Sequence, residues 1–85
     1  MTIINDIRND SGFTVTMEIT RNEMYTVENV LRKHDCYRAS NISGYFAACD
    51  YYATFEIKNV NYAAMKELKQ LADWFVWNEQ EGLKT

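Results

Sequence analysis

"FTVTMEIT", residues 13–20, decides how this chain is laid out. Phe13, Val15, Met17 and Ile19 alternate with Thr14, Thr16, Glu18 and Thr20. An apolar–polar alternation with β-branched residues on the outer side predicts a half-buried strand. The period changes at Thr20. "TRNE", residues 20–23, has the spacing of a capping box, in which a hydroxyl and a carboxylate satisfy each other's backbone N–H groups. The helix it opens is expected from Glu23 to His34, with Met24, Val27, Val30 and Leu31 as its inward stripe.

Upstream of the strand, "NDSG" at 9–12 reads as a turn, since Asx and Gly tolerate backbone geometry that other residues resist. The segment before it reads as either one short helical turn or a first strand; Ile3, Ile4 and Ile7 share a face at helical spacing, which favours the short amino-terminal helix. Downstream, residues 36–59, "CYRASNISGYFAACDYYATFEIKN", read as a hairpin. Asn41 and Gly44 suit the ends of a type I turn. Ala53, Phe55 and Ile57 alternate with Thr54, Glu56 and Lys58. The alternation breaks near Cys49 and Asp50, which implies either a bulge or a second turn that moves the hairpin tip.

The last segment, "NVNYAAMKELKQLADWFVWNEQ" at 59–80, reads as one long helix capped by Asn59 or Asn61. Its inward stripe is Ala64, Met65, Leu68, Leu71, Ala72 and Phe75. The expected order is β-α-β-β-α, with the short helix in front. That is an α+β domain: a small antiparallel sheet of about three strands with two main helices on one face. It resembles a ferredoxin-like unit without its last strand. The 85 residues make a single domain, 1–85.

Composition narrows the functional classes. Net charge is −3, from 9 basic and 12 acidic residues. Neutralised phosphates supply most nucleic-acid affinity, so this balance argues against a nucleic-acid binder and against an anionic membrane. No apolar run is long enough to span a bilayer, and the amino terminus lacks the basic start of a secretory signal. A cytoplasmic location is therefore expected, with Cys36 and Cys49 as reduced thiols.

Chemistry finds little to stand on. His34 is the one histidine, and with two cysteines it falls short of a metal-ligand set. There is no phosphate loop and no nucleophile elbow. The expectation is no enzyme, no cofactor and no metal.

Aromatic residues make up 14% of the chain, and each covers about 150–250 Å² if buried. A chain of this size has too little interior for all of them, so some aromatic surface is expected outside. On the helical wheel Trp74 and Trp77 fall on a polar face among Lys66, Glu67, Gln70 and Asp73. Tyr25 falls off the stripe of the first helix. Either another part of the chain folds over the tryptophans, or they form a contact surface. Tyr45, Phe46, Tyr51 and Tyr52 either pack the hairpin or add to that surface.

The favoured reading is a small non-catalytic protein-binding module, an inhibitor or modulator of a partner protein. Its contact residues would be Trp74, Trp77, Tyr25, Tyr45, Phe46, Tyr51 and Tyr52. Self-association into a homodimer is another way to cover them. The second reading is an RNA or single-strand binder that adds Arg32, Lys33 and Arg38 to the hairpin aromatics. The proline-free, asparagine- and tyrosine-rich style resembles bacteriophage accessory proteins, among them inhibitors of host defence or toxin systems. That resemblance spans the whole chain and rests on no motif. It implies an inhibitor of counter-defence or antitoxin type.

Overall fold

The computed structural model describes residues 1–74. Its elements are β1 (Thr2–Asn9), β2 (Gly12–Thr20), α1 (Arg21–Lys33), β3 (Ile42–Ser43), β4 (Tyr52–Val60), α2 (Tyr62–Leu71) and β5 (Asp73–Trp74). The strands form one sheet in the order β3-β4-β2-β1-β5. All neighbours are antiparallel except β1 and β5, which run parallel. This is the α+β class that the sequence predicts, with more strands than expected.

The strand at 13–20 lies in the middle of the sheet, between β1 and β4. Val15, Met17 and Ile19 are fully buried, as the alternation requires. The core then adds Ile3 from β1 and Phe55, Ile57 and Val60 from β4. Val27, Val30 and Leu31 of α1 and Ala64, Met65 and Leu68 of α2 close it from one side. Each buried aliphatic side chain stabilises the fold by about 1.5–3 kcal/mol relative to exposure.

The amino-terminal segment is a strand, which corrects the short helix read from Ile3, Ile4 and Ile7. The register slips by one residue between Ile3 and Asn5. Ile3 consequently faces the helices and is fully buried, whereas Ile7 is 56% exposed on the other side. A bulge inside a strand thus imitated helical spacing. The strand wins because a tight turn delivers it directly to β2. Asn9 Oδ1 accepts hydrogen bonds from the Ser11 N–H (3.2 Å) and hydroxyl (3.1 Å). Gly12 follows at φ 128°, with the space for a Cβ filled by the Val60 carbonyl oxygen at 2.7 Å.

α1 begins with the expected capping box. Thr20 Oγ1 accepts from the Glu23 N–H, and Glu23 Oε1 accepts from the Thr20 N–H at 3.0 Å. The Met1 amine donates to Glu23 Oε2 at 2.6 Å. That amine, and after it the Thr20 N–H, hold the Glu23 carboxyl below its ordinary range.

The second helix is shorter than its apolar spacing suggests. Asn61 caps it, accepting from the Ala64 N–H at 2.9 Å, and it stops at Leu71. Ala72 turns to an extended ψ of 151°, and Asp73 and Trp74 pair with Thr2 and Ile3. The helical-face placement of Trp74 is therefore corrected: Trp74 belongs to a strand. Leu71, expected inside, is 49% exposed. Trp is a good strand former, and the free backbone edge of β1 outcompetes another turn of helix. Phe75 and Trp77 lie outside the described residues.

The succession β2-α1-β3-β4-α2-β5 is that of a ferredoxin-like unit, with β1 intervening between β2 and β5. The last strand, expected to be missing, is present as the two residues of β5.

The register also defines the sheet's open face, opposite the helices. Thr2, Glu18 and Thr54 form one cross-strand row. Asn5, Thr16, Glu56 and Ser43 form the next, and Thr20 pairs with Tyr52 beyond the first.

Candidate functional site: the Arg21 loop and its tyrosines

β2 ends at Thr20, where α1 begins, and Thr20 pairs with Tyr52 at the start of β4. Antiparallel pairing therefore brings the connection from β3 to β4 against the first turn of α1. This connection is the broken stretch of the predicted hairpin. Its tip lies at 47–50, where the Asp50 N–H donates to the Ala47 carbonyl at 3.0 Å and the Ala47 N–H donates to Asp50 Oδ2 at 3.1 Å. The turn expected at 41–44 is replaced by a 3-10 turn at Ala39–Asn41 followed by β3. The second-turn alternative drawn from the sequence is the one realised.

Arg21 fixes this loop from α1. Its Nη2 donates to the Ala47 carbonyl at 2.7 Å and its Nε to the Asp50 carbonyl at 3.4 Å. Its guanidinium lies 4.9 Å from the centre of the Phe46 ring. Phe46 in turn packs on Phe55, with ring centres 5.1 Å apart and planes tilted by 55°. Gly44 permits this approach: at φ 135°, a Cβ there would stand 2.7 Å from Phe55 Cδ2.

The aromatic residues thus divide. Phe46 is half-buried against the core, so its ring serves the loop's own packing. Tyr25, Tyr45, Tyr51 and Tyr52 are 71%, 79%, 78% and 54% exposed. Two shallow depressions meet at Arg21 and Asn22. One, of about 420 Å³, is lined by Cys49, Asp50 and Tyr51. The other, of about 360 Å³, is lined by Met24, Tyr25, Glu28 and Phe46. Tyr25 and Tyr51, far apart in sequence, therefore flank one arginine. Arg21 itself was missed by the sequence reading. A cation opening a helix beside an aromatic loop carries no local signature, because its partners are carbonyls 26 and 29 residues away.

Other expected site residues lie elsewhere. Trp74 is on the strand at the opposite edge of the sheet from β3 and the loop. Arg32 and Lys33 end α1, about 18 Å along the helix from its start. Arg32 stacks 4.3 Å from the Tyr37 ring centre and pairs with Glu28 at 3.9 Å. Lys33 reaches Glu67 Oε1 at 3.1 Å. Arg38 is exposed just before the 3-10 turn. These cations and the loop tyrosines do not form one surface.

The sole histidine joins the helices. His34 Nε2 is 2.8 Å from Glu67 Oε1, and the His34 carbonyl accepts from Asn61 Nδ2 at 2.7 Å. Glu67, expected on a rim around Trp74, is instead held between α1 and α2. His34, and then Lys33, keep its carboxyl below the ordinary range. Both cysteines are free thiols, Cys36 half-buried and Cys49 exposed at the loop tip. Among the described residues no group of three His, Cys, Asp or Glu side chains is placed to hold a metal ion. No described helix is long and apolar enough to cross a membrane.

Compared with known proteins, the chain matches no family model, no curated protein and no solved structure.

Proposed function

We propose that this chain is a small protein-binding module whose contact surface is the Arg21 loop with Tyr25, Tyr45, Tyr51 and Tyr52. Such a module acts by occupying a partner's surface, as an inhibitor or modulator does. The observation that carries the reading is the exposure of these four tyrosines around a loop pinned by three Arg21 contacts. Tyrosine supplies a large, stiff, amphipathic contact at low entropic cost, and it is enriched among residues that dominate binding energy. A pinned loop loses little further freedom on association.

The test is capture from a nuclease-treated lysate by tagged protein, comparing wild type with Tyr25→Ala and Tyr51→Ala. The expected result is a protein partner whose recovery drops at least about tenfold in the variants, because removal of a hot-spot residue costs about 2 kcal/mol or more. Urea midpoints should stay near the wild-type value. Recovery indifferent to both tyrosines, or capture that nuclease abolishes, refutes the reading.

A further inference from the structure

We propose that the open sheet face takes a guanidinium group: an arginine side chain of the partner docks on Tyr52 between Glu18 and Glu56. The inference rests on the protein-binding reading and names the partner's chemistry at one edge of that surface.

Four described carboxylates on the helix side of the sheet are paired within the chain. Asp6 pairs with Lys69, Glu23 with the Met1 amine, Glu28 with Arg32, and Glu67 with Lys33 and His34. Glu18 and Glu56 are not. Neither has an ion-pair or hydrogen-bond partner among the described residues. Asp10 and Asp35 sit in turns, so among the strand carboxylates of residues 1–72 the two without a partner both lie on this face.

The register fixes the geometry. Glu18 pairs with Thr54, and Tyr52 and Glu56 are the residues two before and two after Thr54 on β4. Each is a diagonal neighbour of Glu18, about 7–8 Å away. Thr54, small and exposed, is the floor between them. Tyr52 is 54% exposed and stands at the edge where the loop begins. A flat cation fits this triangle. A guanidinium stacks on a tyrosine face while its N–H fork donates to a carboxylate, and it sheds water more readily than an ammonium. Two diagonal carboxylates offer acceptors to both edges of the fork. Lys58, at the irregularity in β4, is the nearest cation along the strand and is exposed. The acidic balance of the whole chain favours the same class of partner.

The probe is an octa-arginine peptide titrated into isotopically labelled protein at physiological salt, with octa-lysine and octa-glutamate in parallel. Backbone amide shifts report the site. Octa-arginine is expected to move the amides of Glu18, Tyr52, Thr54 and Glu56. Octa-lysine should bind roughly tenfold more weakly, because it lacks the stacking and the fork. The double variant E18Q/E56Q should lose roughly tenfold in octa-arginine affinity with its spectrum otherwise retained. Tyr52→Ala should narrow the arginine-over-lysine preference. Equal shifts at Asp10 and Asp35, equal affinity for the two cationic peptides, or indifference to E18Q/E56Q each overturn the proposal. So does octa-glutamate binding at the same amides. The two readings fail separately. An untouched open face, with capture still dependent on Tyr25 and Tyr51, removes this inference alone. Capture independent of those tyrosines removes the function it rests on.

Discussion

Replacing Arg21 by alanine isolates the contact on which the proposed surface depends. Three interactions disappear. The hydrogen bond to the Ala47 carbonyl is short, at 2.7 Å, and charge-assisted. In a solvent-exposed setting it contributes about 1 kcal/mol, the mean for hydrogen bonds in general and below the about 1.5–3 kcal/mol of bonds to charged groups. The bond to the Asp50 carbonyl, at 3.4 Å, is long and adds a few tenths. The Phe46 contact at 4.9 Å adds about 0.5–1 kcal/mol. The sum is about 2 kcal/mol, or roughly 30-fold in the equilibrium between the docked loop and the open one. Amide hydrogen exchange reads this directly, since the Asp50 and Ala47 N–H groups bond only within the tip that Arg21 holds. Both should exchange up to about 30-fold faster in Arg21→Ala, while the Met17 and Phe55 amides in the central strands keep their protection. Arg21→Lys should recover less than half of the loss, because an ammonium keeps the charge but not the planar fork. Partner affinity should fall with loop protection although the tyrosines are intact. Unchanged exchange at Ala47 and Asp50 in Arg21→Ala refutes the argument that this arginine organises the surface.

Two further outcomes test the fold around it. Leu68→Ala should cost about 2–5 kcal/mol in urea unfolding, as for other buried leucines, whereas Leu71→Ala should stay within about 0.5 kcal/mol. A large loss at Leu71 would restore the longer helix. The polar clasp between the helices should appear in acid. Glu67 has a folded pKa below its unfolded value, so its contribution is complete above the unfolded value. That contribution is lost as pH falls from there through the lower folded value. Glu67→Gln should accordingly flatten the fall of the urea midpoint with pH over that window; an identical acid slope would show that the His34 and Lys33 contacts carry no linkage.

The parts of the fold legible in the sequence are those where one interaction decides the structure. Residues 13–20 alternate because both neighbours of β2 are strands and only one face meets the helices. Thr20 and Glu23 close a box whose members are three residues apart, and the structure reproduces it. Where two local readings were compatible, distant backbone chose between them. Ile3 and Ile7 suit a helix or a bulged strand equally, and the hairpin with β2 settles it. Leu68, Leu71 and Ala72 continue a helical stripe, but β1 offers Trp74 a strand partner that no local pattern announces.

The candidate site was legible in kind and not in place. That a short chain with this many aromatic residues must leave some outside follows from area alone. Which ones depends on register. Phe46 and Tyr45 are adjacent, yet one ring packs on Phe55 and the other stands in solvent. Their fates separate because Gly44 lets the loop close on β4 and Arg21 then clamps it from a helix that begins opposite Tyr52. The same pairing of Thr20 with Tyr52 sets Glu18 and Glu56 around Thr54 on the far face. One register therefore governs both the tyrosine surface and the acidic face beside it. A one-residue slip of β4 against β2 would exchange Phe55 and Ile57 for Thr54 and Glu56 in the core. The burial of Phe55, Ile57 and Val60 on β4 opposes that slip and so holds both surfaces in place.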